Sequence, residues 1–390
     1  MTSIAAPNLD AIRADVRALC AQFPDAYWRD LDEKREHPGA FVDAMTKAGF
    51  LAALVPAEYG GGGMGVTEAS VILEEVNRSG GHSAACHAQM YVMRALVRHA
   101  SAEQKARWLP AIARGDLRLQ AFSITEAEAG SDTTAIQTRA VRDPETGGWI
   151  IDGRKNWTSR LMTSDLALIL ARTTPREDLT DRTRGLSLFL VDLREARESG
   201  EVAISPVRTM FNYETFEVEY RGLRVPADGL IGEAGMGFRY VIDGWNAERI
   251  LLAAEAIGDG YWFIDRAVRY ASERVVFGRP IGANQGVQFP LAKAYSHIVA
   301  ADAVRWEAAR KFDAGLSCGA EANMAKMLAS DASWEAANIC LDTHGGNGFV
   351  VEYDVERKFR ETRLYQVAPI NNNLILAYLG QHVLGLPRSY

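Results

Sequence analysis

The segment Leu119-Gln-Ala-Phe-Ser-Ile-Thr-Glu-Ala-Glu-Ala-Gly-Ser-Asp-Thr133 marks the point where the sequence changes from helical to strand-like spacing. Apolar residues at Ala121, Phe122 and Ile124 precede a Gly-Ser-Asp turn, which predicts a strand that runs into a loop. Thr125 and Ser131 place two hydroxyl groups near the end of that strand. Strand ends are a common place for a bound ligand, so this segment is a candidate binding site.

A second segment, Gly153-Arg-Lys-Asn-Trp-Thr-Ser-Arg160, has the same mixture of aromatic and hydroxyl side chains. Trp149 to Ile151 lead into it through Asp152-Gly153, a pairing that predicts a β-hairpin turn. Trp157 could cover one face of a flat ring while Ser159 bonds its edge. The two segments together suit a planar, partly apolar ligand such as the isoalloxazine of a flavin. The alternative interpretation is a β-sheet with ordinary turns.

Length and composition favour a multidomain globular protein. The chain has 390 residues, 48% of them hydrophobic and 24% charged, which predicts two or three domains. It has no apolar run of the ~18 residues needed to cross a bilayer. Met1 to Ala18 resembles neither a secretory signal nor a transit peptide. We therefore expect a cytoplasmic protein.

The net charge and the positions of the cysteines count against several other classes of protein. A net charge of -7 gives no electrostatic basis for binding nucleic acid or anionic lipid. The four cysteines are far apart, without Cys-x-x-Cys or paired histidines, so we expect buried free thiols and no metal site. They are Cys20, Cys86, Cys318 and Cys340.

Residues 1–118 show helical spacing and predict an N-terminal helical domain. The predicted helices are Leu9–Phe23, Pro38–Ala48, Val66–Arg78, Ala84–His99 and Ala102–Ala113. Gly60-Gly-Gly-Gly-Met-Gly65 fits the dinucleotide-binding pattern only formally. Pro56 interrupts the strand that this pattern needs and no βαβ unit follows, so we expect a flexible loop.

Residues 119–231 have the period of strands and predict a middle β-barrel or sandwich domain. The predicted strands are Gln120–Thr125, Thr138–Asp143, Trp149–Trp157, Leu166–Arg172, Leu186–Asp192, Ala203–Thr209 and Thr215–Tyr220. Residues 232–390 return to helical spacing and predict a C-terminal antiparallel four-helix-bundle domain. Its predicted helices are Phe238–Glu273, Phe289–Ala314, Ala320–Asp342, Asp354–Tyr365 and Leu374–Leu384. The fold class is thus α+β, in three domains.

Four ordered motifs resemble the signatures of the acyl-CoA dehydrogenase family. The first two are Phe122-Ser-Ile-Thr-Glu126 with Ala129-Gly-Ser-Asp132, and Lys155-x-Trp157-Thr-Ser159. The later two are Arg274-Val-Val-Phe-Gly-Arg-Pro-Ile281 with Gln285, and His344-Gly-Gly-Asn-Gly-Phe349. The resemblance covers essentially the whole chain, and the order helical, β, helical bundle is that of the family.

The resemblance implies FAD as the cofactor. Phe122, Ile124, Thr125, Trp157 and Ser159 are then expected to line the isoalloxazine, and Ser131 to reach the FAD phosphates and the substrate. The positions expected to hold the FAD of a neighbouring subunit are Arg274, Phe277, Gln285, Gly345, Gly346 and Asn371. Each has a simpler alternative, such as a surface arginine, a helix end or a polar cap. Asp342 departs from the family, which usually has glutamine there.

The usual catalytic base of the family is absent. The family takes its carboxylate from a Tyr-Glu-Gly-Thr segment, whereas Leu364-Tyr-Gln-Val-Ala-Pro-Ile-Asn371 has Pro369 at that position, and proline neither accepts a proton nor donates an N–H. A minority of the family, typified by isovaleryl-CoA dehydrogenase, carries the base on the first bundle helix before an arginine. Glu248-Arg249 matches that arrangement, with Glu352 and Glu361 as weaker candidates.

The remaining substrate residues implied by the resemblance are on the same helix. Trp245, Asn246 and Arg249 correspond to substrate-side positions, and Trp245, Ile250 and Leu251 would desolvate Glu248 and raise its pKa. The alternative is an ordinary amphipathic helix with a solvated or Arg-paired glutamate.

Three functions compete. The first is an FAD-dependent acyl-CoA dehydrogenase that forms a trans-2-enoyl-CoA and passes electrons to electron-transfer flavoprotein, as a homotetramer. The second is a flavin-dependent monooxygenase on the same fold, which needs no carboxylate base and is favoured by Pro369. The third, a non-catalytic DNA-associated relative, lacks support because such proteins have a basic C-terminal region. The acyl group cannot be deduced from any single motif.

Overall fold

A computed structural model describes residues 8–388, and the first part of it is helical. Expectations for the extreme termini, including Met1 and Tyr390, lie outside the described residues. The first six helices are α1 (Leu9–Cys20), α2 (Asp25–Lys34), α3 (Gly39–Lys47), α4 (Val66–Arg78), α5 (Ala88–His99) and α6 (Ala102–Arg114). The sequence analysis missed α2, because this short helix buries only Trp28 and Leu31 and so has almost no apolar stripe.

The glycine-rich segment 60–65 is a loop that leads into α4. It is held to the preceding turn by backbone hydrogen bonds from Gly62 to Ala52 at 2.9 Å and from Met64 to Ala53 at 2.8 Å. A Cβ at Gly61 would lie 2.3 Å from the carbonyl oxygen of Val55. The glycines therefore serve close backbone packing.

The middle of the chain forms one eight-stranded sheet, in the order β6-β7-β3-β2-β4-β5-β8, with β1 paired parallel to β4. A short helix, α7 (Leu193–Ser199), follows β5. The strands are β1 (Leu119–Ser123), β2 (Arg139–Arg142), β3 (Trp149–Ser159), β4 (Leu166–Arg172), β5 (Leu186–Asp192), β6 (Val202–Pro206), β7 (Thr215–Val225) and β8 (Leu230–Ile231). All seven predicted strands are present: β4 and β5 have the predicted ends, and the ends of the other five are shifted.

The predicted hairpin turn at Asp152-Gly153 is wrong. β3 continues through these residues and pairs with β7 on both sides, with a register shift between Ile151 and Gly153. Gly153 has φ 151°, and a Cβ there would lie 2.4 Å from the Thr138 hydroxyl. The Asp-Gly pair thus forms a bulge inside a strand, a role for which glycine is also required.

The C-terminal part is again helical. Its elements are α8 (Gly237–Glu273), the two-stranded hairpin β9 (Val275–Val276) and β10 (Arg279–Pro280), α9 (Gln285–Asp313), α10 (Gly319–His344), α11 (Val355–Thr362) and α12 (Asn372–Tyr378). The helix predicted over Leu374–Leu384 becomes a π turn after Tyr378. Within residues 8–388 no helix is long and apolar enough to cross a membrane. The four cysteines are buried and unpaired.

Helix α8 is the central element of the packing, since it contacts α4, α5, α9 and α10 as well as strand β5. Gly258 brings it against α4 so closely that a Cβ would lie 2.3 Å from the carbonyl oxygen of Glu74. Buried ion pairs fix it further: Asp259 meets Lys358 of α11 at 2.5 Å, and Glu255 meets His87 at 2.7 Å. The position of every residue on α8 therefore depends on this contact with α4.

We predict that Gly258→Ala destabilises the protein by about 1–3 kcal/mol or more, because the new methyl group meets backbone that has no room to move aside. Urea unfolding followed by tryptophan fluorescence measures the change. Gly39→Ala is the matched control: nothing lies within 4 Å of a Cβ built there. Equal stabilities of the two variants would contradict the close approach of α8 to α4.

Candidate active site

The first two predicted segments lie side by side. The buried Lys155 of β3 donates to the carbonyl of Ile124 at 2.8 Å and to the carboxylate of Glu126 at 2.9 Å. The backbone of Asn156 donates to the carbonyl of Thr125 at 2.8 Å. Burial lowers the pKa of Lys155 to about 8, and Glu126 opposes that shift. This ammonium thus holds the end of β1 against β3.

The predicted ring-lining residues at this junction differ in accessibility. Trp157 is 58% exposed and Ser131 is exposed, whereas Phe122 is half-buried. Ser159 is buried, and its hydroxyl donates to the hydroxyl of Thr215 at 3.1 Å. The indole and Ser131 are therefore free to meet a ligand, but the Ser159 hydroxyl already has a partner on β7.

This surface fits a flavin ring. An indole that is more than half exposed stands beside the half-buried Phe122 and Ile124, and the half-buried Thr125 adds a hydroxyl group. A flat aromatic ring with polar edges needs such a mixture of apolar faces and hydrogen-bonding groups.

Three of the four predicted substrate residues lie together on the first half of α8, and the fourth, Ser131, lies in the loop after β1. Arg249 donates to the amide oxygen of Asn246 at 3.0 Å, and its guanidinium lies 5.8 Å from the centre of the Trp245 ring. Glu248 is only 8% exposed, and its neighbours Ala247 and Ile250 are fully buried. The helix thus presents a carboxylate in apolar surroundings beside a half-buried arginine.

Burial raises the pKa of Glu248 to about 7, while the charges of Arg249 and Arg160 oppose the shift and that of Glu255 adds to it. Among residues 8–388, no hydrogen bond reaches the carboxylate of Glu248. A carboxylate with this pKa and no bonded partner can take up a proton near neutral pH.

Three contacts position this end of α8. A Cβ at Gly237 would lie 2.5 Å from the backbone of Ser187, which shows how closely the helix starts against β5. The ring of His99 on α5 meets Asp243 at 2.9 Å. At the next residue, a Cβ built on Gly244 would lie 3.7 Å from the carbonyl oxygen of Tyr91, which is ordinary van der Waals contact. Glu248 is thereby held between α5 and the sheet.

The other acidic candidates are placed less well for catalysis. Glu361 accepts from Arg357 at 2.9 Å, and although burial opposes it, the charges of Arg357 and Lys358 lower the pKa of Glu361 to about 2. Glu352 and Pro369 are exposed. Glu361 is therefore a permanently ionised partner in an ion-pair cluster.

The residues expected to reach a neighbouring cofactor lie elsewhere. Arg274, Phe277 and Gln285 follow the far end of α8 and are exposed, Phe277 to 99%. Tyr270 stacks on His344 at 4.2 Å, which brings the exposed Gly345 and Gly346 to the same end. Arg274 follows Glu248 by 26 positions, roughly 39 Å along the helix.

The structure separates Asn371 from that group. Asn371 caps α12 by accepting from the backbone of Leu374 at 3.0 Å, and the adjacent Ile370 carbonyl accepts from Lys326 at 2.7 Å. Gly345 follows Lys326 by 19 positions on α10, roughly 28 Å. Asp342 is exposed near the glycines.

Sequence reasoning missed several buried polar residues around Glu248, namely His87, Tyr91, Arg160 and Glu255. Glu255 gave a usable signal, because it is a lone charge in the apolar run Ile250–Gly258 and a buried charge needs a partner. Arg160 gave no such signal in the sequence, because its contact with Tyr91, on a helix far away in the chain, is created only by the fold.

Sequence comparison identifies relatives along nearly the whole chain. Sequence models for the N-terminal, middle and C-terminal domains of acyl-CoA dehydrogenases match residues 6–116, 121–220 and 235–375. The acyl-CoA dehydrogenase fadE12 of Mycobacterium bovis is 35% identical over 385 residues, which cover 97% of each chain.

Solved structures agree in architecture. Glutaryl-coenzyme A dehydrogenase in complex with glutaryl-CoA has a TM-score of 0.91 at 26% identity, over 100% of this chain and 98% of that one. A chain from work on the electron transferring flavoprotein of Acidaminococcus fermentans has a TM-score of 0.90 at 26% identity, over 98% and 100% of the respective chains.

The raised pKa of Glu248 predicts a pH-dependent stability difference. Because the folded pKa exceeds the unfolded value, this carboxyl contributes most stability below about pH 4.5, and that contribution is lost as the pH rises through about 7. Glu248→Gln should therefore match the unchanged protein in stability near pH 4.5 and exceed it by up to about 3 kcal/mol at pH 8.

Urea unfolding at both pH values, at one fixed protein concentration, tests this expectation. The control is Glu58→Gln, which changes an exposed glutamate. If the stability gain of Glu248→Gln were the same at both pH values, the carboxylate would not be destabilised by burial.

Proposed function

Because the chain belongs to the acyl-CoA dehydrogenase family, a family of flavoprotein oxidoreductases, we propose that it is an FAD-dependent acyl-CoA dehydrogenase. It converts an acyl-CoA thioester to the trans-2-enoyl-CoA and passes the electrons to electron-transfer flavoprotein. The observation that carries the proposal is the buried carboxylate of Glu248, whose pKa is raised to about 7.

Glu248 is the proposed base that takes the α-proton of the thioester. Its apolar surroundings make the neutral, protonated product of that step favourable, and the charge of Arg249 keeps the ionised form accessible. FAD, when bound, supplies the two-electron acceptor for the hydrogen that leaves the β-carbon. Trp245, Asn246 and Arg249 orient the substrate along α8.

The proposed FAD ring lies against Phe122, Ile124, Thr125 and Trp157, with Ser159 closing the edge. The exposed indole supports this assignment. Ser131 is assigned to the FAD phosphates and the substrate.

A second subunit is proposed to complete the cofactor site. Arg274 lies roughly 39 Å along α8 from Glu248. Phe277, in the turn between β9 and β10 just beyond the helix, is 99% exposed, which is unusual for a large apolar side chain. Gln285, Gly345 and Gly346 belong to the same surface, and Asn371 to a separate one. We therefore propose a homotetramer in which neighbours share FAD.

Finer details of the architecture and cellular role are also proposals. They are domain limits at residues 118 and 231, closure of the sheet into a β-barrel, a C-terminal four-helix bundle and a cytoplasmic location. The similarity to a chain studied together with electron transferring flavoprotein supports the proposed electron acceptor.

A flavin-dependent monooxygenase on the same fold is the second candidate. It is favoured by Pro369, which leaves the usual position of the base without a carboxylate. Anaerobic bleaching of the flavin by an acyl-CoA supports the dehydrogenase, whereas a flavin that needs oxygen for turnover supports the monooxygenase.

Glu248→Gln should bind FAD normally but lose rapid reduction by substrate, because the amide keeps the shape of the side chain and accepts no proton. The expected loss is ~10²- to 10⁴-fold. Anaerobic stopped-flow absorbance of the flavin, with the best substrate from an acyl-CoA panel, measures it.

Glu352→Gln serves as the matched control, since Glu352 is exposed. The flavin of this variant should be reduced at the normal rate. Near-normal reduction of Glu248→Gln would place the base elsewhere or exclude a dehydrogenase.

The shared-cofactor proposal predicts that Arg274→Ala lowers FAD retention by about tenfold, because phosphate loses a charge-assisted hydrogen bond worth about 1.5 kcal/mol or more. Flavin absorbance after gel filtration, combined with sedimentation, measures both binding and assembly. Arg269→Ala, one turn earlier on α8, is the control. A monomer that keeps a full complement of FAD would overturn the shared site.

A further inference from the structure

A small cavity of about 40 Å³ lies between the N-terminal helices and the sheet. It is lined by residues of α2 and its following loop, of the segment before α5, of the end of β3 and of the segment before β7. The lining residues used below are Asp32, Glu36, His82, Arg160, Glu214 and Glu361. This volume suits a few water molecules or one terminal polar group of a ligand, and it is too small for a whole small molecule.

Arg160 is the cation of this cavity, and it is buried, with 3% exposure. Its guanidinium donates to the carbonyl of Ala84 at 2.6 Å, to the hydroxyl of Tyr213 at 3.3 Å and to that of Tyr91 at 3.5 Å. Among residues 8–388, its Nε has no hydrogen-bond partner and no carboxylate lies within ion-pair distance of the guanidinium. A buried guanidinium normally has a carboxylate or phosphate partner.

His82 adds a second polar group without a hydrogen bond. It is 5% exposed, and neither of its ring nitrogens has a hydrogen-bond partner among residues 8–388, although Nδ1 lies 4.0 Å from the carboxylate of Glu361. Burial lowers its pKa to about 4. The ring is therefore neutral at physiological pH and can donate one hydrogen bond into the cavity.

The carboxylates around the cavity have partners of their own or reach solvent. Glu361 is bound by Arg357 at 2.9 Å and by Lys358 at 3.3 Å, and Asp32 is bound by Arg360 at 2.5 Å.

Glu214 accepts from Thr163 at 3.1 Å and faces His37 at 3.4 Å, and Glu36 is exposed. None of the four carboxylates lies within ion-pair distance of Arg160, and only the charge of Glu214 acts on it from further away.

Arg160 acts on the proposed base through its charge, which lowers the pKa of Glu248 against the effect of burial. The hydroxyl of Tyr91 contacts the guanidinium, while its carbonyl oxygen lies 3.7 Å from the position of a Cβ built on Gly244, one turn before Glu248. Glu248 does not itself line the cavity. Tyr91 thus connects the helix turn that carries the base to the guanidinium, and this is the side on which we place the far end of the acyl chain.

We propose that Arg160 is a specificity-determining residue that receives a carboxylate at the far end of the substrate's acyl chain, with His82 as a second donor. The proposal rests on the proposed dehydrogenase function and names its substrate class, an ω-carboxyacyl-CoA. A methyl-terminated chain would cover the guanidinium without replacing the hydrogen bonds of water, which costs binding energy. A carboxylate instead pairs with it bidentately.

The unmodified holoenzyme tests this directly. Flavin reduction is measured anaerobically with methyl-terminated acyl-CoA esters and with ω-carboxyacyl-CoA esters of the same carbon count, over a series of chain lengths. At the best length we expect kcat/KM to favour the carboxylated ester by roughly 10- to 100-fold, the range for a hydrogen bond to a charged group. A preference for the methyl-terminated ester overturns the proposal and leaves the dehydrogenase activity standing.

Arg160→Met should remove that preference, so that the ratio of kcat/KM between the carboxylated and methyl-terminated esters falls to about one. The ratio is the readout because loss of the charge that acts on Glu248 changes the rate with both esters alike. Arg160→Lys should keep part of the preference, because it retains the charge without the planar fork. The control is Arg172→Met, which removes an arginine that donates to the carbonyls of Ile136 and Thr134 and should leave the preference intact.

The remaining outcomes are also decisive. Loss of activity toward both esters in equal proportion in Arg160→Met, when the variant is folded and holds FAD, overturns the proposal in favour of a general structural role. If Arg160→Met does not fold, the ester comparison with the unmodified enzyme decides alone. Failure of every ester of both series to reduce the flavin overturns the proposed function, and the substrate class with it.

Discussion

The close contact between α8 and α4 at Gly258 determines where the rest of the site can lie. A methyl group there would be 2.3 Å from a backbone carbonyl, so the two helices meet at the shortest distance that the chain allows. The same helix starts against β5 and carries Glu248 between α5 and the sheet. Its length then carries Arg274 roughly 39 Å away. One packing contact therefore fixes both the proposed base and the proposed contact with a neighbouring subunit.

Helix α8 buries three carboxylates, and their different partners explain their different properties. Glu248, Glu255 and Asp259 are spaced by seven and four positions, so they lie along one face. Asp259 has Lys358 and Glu255 has His87, whereas no hydrogen bond reaches Glu248 from the described residues. An unpaired buried carboxylate is costly, and a protein tolerates that cost mainly where chemistry needs it. Glu248 thus differs from the two other buried carboxylates of the same helix in having no hydrogen-bonded or ion-paired partner among the described residues.

The sequence predicted the parts of the fold that depend on local pattern. Long apolar periodicity located α8 to α10, and alternation located the strands. Prediction from local pattern failed where one sequence signal is compatible with two geometries. Asp152-Gly153 suits either a turn or a bulge, and only the pairing with β7 shows that it forms a bulge. The candidate site divides in the same way. The flavin-lining motif could be recognised by resemblance, but Arg160 acquires its meaning only from Tyr91 on a distant helix, which no local pattern reports.

Backbone strain connects the two halves of the site. In residues 8–388, five non-glycine residues have positive φ, and Trp157, Arg160 and Phe277 are among them. A bulky residue in this conformation costs of order 1–3 kcal/mol, so each needs a compensating reason. At the end of β3 the reason is geometric. The register with β7 shifts between Lys155 and Thr158, and the strand thereby leaves Trp157 58% exposed while Arg160, three residues on, is 3% exposed. A regular strand would also place residues three apart on opposite faces, so what is particular here is that the register shift and both positive φ angles fall at this strand end and set the direction of each side chain. The strained segment therefore delivers the proposed cofactor contact and the proposed substrate contact from a single strand end.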